Sequence, residues 1–166
     1  MEQQSTRKSL SVDSNYTIRV ALPLDTDGFL RRECPNCGGQ FKWHHGPANA
    51  EAEQQSPPPA YSCPLCGRPA ANDAWYTPAQ IELAKSSALH VAHEAIHDSL
   101  ESALRGRKGL TYKRSRAALE EVTDPLVEPD DMVIVASPCH DFEPIKVPEV
   151  HTGILYCLIC GAAFTV

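Results

Sequence analysis

Six of the seven cysteines stand in three Cys-x-x-Cys pairs, Cys34/Cys37, Cys63/Cys66 and Cys157/Cys160, and a glycine follows each pair (Gly38, Gly67, Gly161). Two residues between cysteines let both sulfurs point at one ion. The glycine permits the positive φ that turns backbone N–H groups toward the thiolates. Cys34-Pro-Asn-Cys37-Gly and Cys63-Pro-Leu-Cys66-Gly are two copies of one pattern, and their four thiolates make a complete tetrahedral set for a borderline-soft ion such as Zn2+. A set closed by four sulfurs leaves no position for water, so its chemistry is structural: it supplies folding free energy. His44 and His45 follow closely, but two full knuckles leave no vacancy for them.

This segment, from about Phe29 to Trp75, resembles the zinc-ribbon class, in which two such knuckles sit at the tips of β-hairpins. Cys37 and Cys63 are separated by 25 residues, more than the roughly 15 to 20 usual for a ribbon. The excess is the stretch 44–60 with its Pro57-Pro58-Pro59 run, which reads as an exposed, mobile insertion.

The third pair needs two more ligands. Cys139 lies upstream at a ribbon-like spacing, and His140 beside it or His151 is the fourth candidate. The expected cofactor is therefore two Zn2+ ions per chain, held by Cys34, Cys37, Cys63, Cys66 and by Cys139, His140, Cys157, Cys160. The order ribbon, helix, ribbon resembles small bacterial zinc-ribbon accessory proteins.

A different chemistry is written in His93-Glu94-Ala95-Ile96-His97, a His-Glu-x-x-His motif on a predicted helix. In a zinc hydrolase the histidines bind the metal and the glutamate, here Glu94, activates water. Against that reading, His90, His93 and His97 lie opposite the apolar face of the helix, Asp98 follows where an uncharged residue is usual, and no third ligand is evident. Proteolysis is the alternative reading; a polar helix face is the leading one.

The formal net charge is −6, which argues against a protein that coats itself on nucleic acid. The charge is segregated, however. Six of the 15 basic residues and none of the 21 acidic ones lie between Arg105 and Arg116. Arg105, Arg107, Lys108, Lys113, Arg114 and Arg116 offer phosphate contacts, and Tyr112 a stacking face for an unpaired base. The competing expectation is a solvated loop balanced by the acidic stretch from Glu120 to Asp131.

The elements that must position these groups are small. An aromatic content of 7% beside 14 prolines excludes one large continuous core. No apolar run is long enough to span a bilayer and the first 15 residues are polar, so a cytoplasmic protein with no membrane contact is expected. Tyr16 to Leu22 reads as a strand. Thr77-Pro78-Ala79-Gln80 is a helix start with a capping box and a proline at the first helical position. The helix is expected over 78 to about 104, with Ile81, Ala84, Ala88, Val91, Ala92, Ala95, Ile96 and Ala103 on one stripe that packs on the ribbons or on a second copy of the chain. Short strands are expected at Met132–Ala136, Ile145–Val147 and the C-terminus.

The reading is thus α+β: a polar tail (1–15), an N-terminal zinc ribbon (16–76), a helix (77–105), a charged linker (106–131) and a C-terminal ribbon-like module (132–166). The expected function is non-catalytic recognition, as an adaptor that binds a protein partner or nucleic acid, with homodimerisation through the helix as a further expectation.

Overall fold

The computed structural model describes residues 20–107, 109–114 and 125–165. The polar tail, most of the strand expected at 16–22, and Lys108 and Arg116 of the basic segment lie outside them. Residues 20–22 are described and are not a strand.

The chain is α+β. Among the described residues there are eight strands, β1 (Phe29–Glu33), β2 (Gln40–His44), β3 (Tyr61–Ser62), β4 (Pro69–Ala70), β5 (Met132–Ser137), β6 (His140–Pro148), β7 (Leu155–Tyr156) and β8 (Ala163–Phe164), and one helix between β4 and β5, α1 (Pro78–Leu104). Each Cys-x-x-Cys-Gly turn joins two antiparallel strands: β1 to β2, β3 to β4, and β7 to β8. The strands expected at 132–136 and 145–147 are β5 and β6, the latter longer than expected.

The two cysteine-rich segments share one sheet. Its order is β1-β2-β6-β5, all antiparallel, and the junction is the pairing of Lys42 with Lys146 and of Trp43 with Ile145. Alternation along the strands divides the sheet's faces. One face carries Phe41, Trp43, Val135, Ile145 and Val147, which bury against Trp75, Leu155 and Leu158 in the main core. Phe41, Trp43 and Trp75 meet with ring centroids 5.7 to 5.9 Å apart, a separation at which tilted aromatic pairs attract.

The opposite face buries charge. Lys42 and Lys146 are cross-strand neighbours, 0% and 1% exposed, and like charges so placed repel. Five carboxylates offset them. Lys42 Nζ reaches Asp25 (3.1 Å), Glu128 (2.8 Å) and Asp131 (3.3 Å), and Lys146 Nζ reaches Asp25 (2.9 Å), Asp27 (2.6 Å) and Asp130 (2.8 Å). Burial pushes the Asp25 carboxyl up, but the bonds from Lys146, the Phe29 N–H and Lys42 outweigh it and hold it down at about 2. The described part of the acidic stretch therefore covers the sheet, where Glu128 and Asp131 also bind Arg31. It does not balance the described part of the basic segment.

The helix begins as expected. Thr77 Oγ1 accepts from the Gln80 N–H, and Gln80 Oε1 accepts from the Thr77 N–H at 3.0 Å. Gln80 Nε2 also donates to the Arg31 carbonyl at 3.0 Å, bolting this first turn to β1. Beyond it the helix leaves the β body. Gln80 is its only buried residue, and Ile81, Leu89, Ile96 and Leu100 are exposed. Among the described residues the apolar stripe thus does not pack on the β body, where packing on the ribbons was one of the two expectations. The stripe's residues are mostly alanine, which offer too little surface to hold a long helix against a sheet.

Candidate metal centres

In the first cluster the knuckles bring Cys34, Cys37, Cys63 and Cys66 together, with every pair of sulfurs within 4.8 Å. Cys34 and Cys66 lie 3.8 Å apart and Cys37 and Cys63 3.9 Å apart. Four thiolates about 2.3 Å from a tetrahedral ion are separated by about 3.8 Å, whereas a disulfide needs about 2.05 Å. The sulfurs are therefore spaced for a metal. The N–H groups of Asn36 and Leu65 point at the Cys34 and Cys63 sulfurs, both at 3.4 Å, and supply the outer hydrogen bonds such a site needs. Burial is the largest influence on the Cys34, Cys37 and Cys63 thiols. It raises Cys63 and Cys37, while at Cys34 the N–H groups around the sulfur outweigh it and lower the pKa.

The second cluster joins Cys139, His140, Cys157 and Cys160 within the same 4.8 Å limit. Cys139 Sγ lies 3.5 Å from Cys160 Sγ, and His140 Nδ1 lies 3.3 Å from Cys157 Sγ. The fourth member is thus His140. His151 stands outside the cluster with Nε2 facing the Ile154 carbonyl. Adjacent Cys139 and His140 both reach the centre because the β5–β6 hairpin turns at Pro138 and Cys139, just past a register shift between Val135 and Ser137. Ser137 is a residue that no spacing rule singles out: its hydroxyl lies 3.3 Å from Cys157 Sγ and 3.1 Å from the His140 carbonyl. Burial raises the Cys157 thiol, but Ser137 and the N–H groups of Cys160 and Ile159 outweigh it and hold it down at about 6. Cys139 is pushed up to about 11, by desolvation and by the Cys160 and Cys157 thiols.

The knuckles that bear Cys63 and Cys157 pack on one another. The Ser62 N–H donates to the Leu158 carbonyl at 2.8 Å, and the Tyr156 N–H donates to the Pro64 carbonyl at 2.9 Å. In each bond the residue before one cysteine donates to the residue after the other, so the contact has local two-fold character. Gly67 and Gly161 make it feasible beyond their positive φ of 72° and 71°. A Cβ at Gly67 would stand 2.8 Å from the Tyr156 ring, and one at Gly161 3.0 Å from Ser62 Oγ.

The His-Glu-x-x-His residues form a separate group. His93 Nε2 and His97 Nε2 are 2.9 Å apart, the Tyr112 hydroxyl bonds His97 Nδ1, and Arg114 pairs with Glu94 and with Asp98. The described tip of the basic segment is thus folded over the histidine face. Tyr112 and Arg114 bond the helix, while Arg105 pairs with Glu101 at 3.4 Å. Arg107 and Lys113 are exposed. No third histidine, cysteine or carboxylate completes a metal set there among the described residues.

The 44–60 insertion is docked, contrary to the mobile loop expected. A short 3-10 turn (Ala52–Gln54) buries Ala52, Asn49 Oδ1 accepts from the Ala52 N–H at 2.9 Å, and Asn49 Nδ2 donates to the Phe142 carbonyl at 3.2 Å.

Compared with known proteins, the chain matches no family model, no curated protein and no solved structure. Among the described residues, no helix is long and apolar enough to cross a membrane. Two cysteine-rich groups, each able to hold a metal ion, are what the site defines.

Proposed function

We propose that the chain is a non-catalytic, zinc-stapled recognition protein, two zinc ribbons fused through one sheet, which binds a protein partner. The observation that carries this reading is that both clusters supply four protein ligands. A four-ligand set leaves no open position for substrate or water, and it suits a structural ion. The protein partner is favoured over nucleic acid by two features. The helix projects from the β body with Leu89, Ile96 and Leu100 exposed, and Tyr112 and Arg114 are already engaged with His97, Glu94 and Asp98. The same exposed leucines and isoleucine suit a second copy of the chain.

The hydrolase alternative has less support, because the Glu94 carboxylate that would activate water is held by Arg114. Metal analysis of the purified chain tests the proposal. Two zinc ions per chain are expected; a third zinc, or peptidase activity that Glu94→Gln abolishes, would overturn it. Binding to nucleic acid that weakens steeply with salt would replace the protein partner with a nucleic acid.

A further inference from the structure

Where the two halves meet, a cavity of about 500 Å³ opens between the docked insertion and the second ribbon. Its lining comes from both: Tyr61 and Pro57 on one side, Phe142, Glu143 and Ile159 on the other, with Arg32 also in the wall. Arg32 is 7% exposed, and its Nε and Nη1 have no hydrogen-bond acceptor among the described residues. The guanidinium carbon lies 4.3 Å from the Trp43 ring centroid and 5.1 Å from that of Tyr76. These contacts hold the group from its faces and leave Nε and Nη1 unpaired.

The contrast with the other buried bases is direct. Lys42 and Lys146 share five carboxylates, whereas no described acid pairs with Arg32. Glu143 lines the same cavity and is half-buried, yet no ion pair joins it to Arg32. Arginine remains charged even when buried, so a guanidinium in a cavity wall with two unpaired, desolvated donors suits an oxyanion. Burial lowers the Arg32 pKa, in keeping with a charge that lacks a counterion.

We propose that this cavity binds a small organic oxyanion, a carboxylate or a phosphate monoester. Its anionic group sits on Arg32, its apolar body lies against Tyr61, Phe142 and Pro57, and a donor at its far end reaches Glu143. Because the wall is assembled from both halves, occupancy ties the insertion to the second ribbon. The site is independent of the partner-binding surface.

The test uses the zinc-loaded full chain, titrated with benzoate, 4-aminobenzoate, phenyl phosphate and inorganic phosphate while tryptophan fluorescence and Tm are followed. Trp43 lines the cavity and reports occupancy. Saturable binding of a carboxylate or of phenyl phosphate is expected, with Tm raised, and the more responsive of the two identifies the anion. 4-Aminobenzoate should bind more tightly than benzoate, and more so than in Glu143→Gln. Arg32→Gln should weaken binding about tenfold or more with the metal content unchanged. If that variant does not fold, Phe142→Trp, which fills the cavity from a half-buried position, should abolish binding. The proposal is overturned if no probe saturates below about 10 mM, if inorganic phosphate binds as well as phenyl phosphate, or if binding survives either variant.

Discussion

The two candidate metal clusters are built from the same knuckle but seated differently. In the first, Cys34 and Cys63 are buried, and two complete knuckles face each other beside the Phe41–Trp43–Trp75 core. In the second, only Cys157 is buried, Cys139 and Cys160 are exposed, and an adjacent Cys-His pair replaces one knuckle. The first cluster is therefore tied to the core, while the second is tied to it by one ligand and by Ser137. The lesson is that ligand type and spacing make a site, whereas the packing behind the ligands decides how much of the fold depends on it.

The largest effect should come from breaking the buried side of that comparison. Cys63→Ser is expected to release the first metal and abolish cooperative unfolding by circular dichroism, since a structural zinc contributes about 10–16 kcal/mol. Cys160→Ser should lower metal content by one ion and leave a folded chain. Equal collapse of both variants would erase the difference between the sites.

The junction between the halves comes next. Asp25 accepts from both buried lysines, so Asp25→Ala leaves two cations short of a partner and should cost about 3–5 kcal/mol in urea unfolding. A loss under about 1 kcal/mol would show that the remaining four carboxylates suffice. Ser137→Ala sharpens the comparison without removing a ligand. It should weaken metal binding about 10–100-fold at the second site and leave the first unchanged, as read by competition with a chromophoric chelator. In wild type the same chelator should remove one equivalent well before the other, from the exposed cluster; simultaneous release would contradict the packing difference. The smallest effect is Thr77→Ala, which breaks the capping box and should cost about 1 kcal/mol, read as reduced helicity with metal content intact.

The capping box, the knuckles and their glycines were legible because each is a local rule: a few consecutive residues satisfy their own backbone groups. Likewise the strands at 132–137 and the helix at 78–104 follow from short-range pattern and punctuation. What local rules could not supply was partnership. Lys42 and Lys146 look in sequence like two exposed lysines on alternating strands, and only the β2–β6 pairing makes them buried neighbours. Glu128, Asp130 and Asp131 read as the counter-charge to the nearby basic run, yet Glu128 and Asp131 pair with Arg31 and Lys42, far along the chain, and Asp130 pairs with Lys146. The proline-rich insertion has the composition of a free loop; Asn49 and Ala52 dock it because Phe142 lies across from it.

By itself, the sequence determined which residues can hold metal, where the helix starts, and that a proline-rich chain with few aromatics needs staples. The tertiary structure decided that His140 rather than His151 stands in the second cluster, that the two halves share a sheet, and that Arg32 lines a cavity with no described acid paired to it. The physical reason is range. Metal-knuckle and capping geometry close within a few residues, whereas burial of charge and the pairing of β2 with β6 join groups about a hundred residues apart, whose proximity no local pattern encodes.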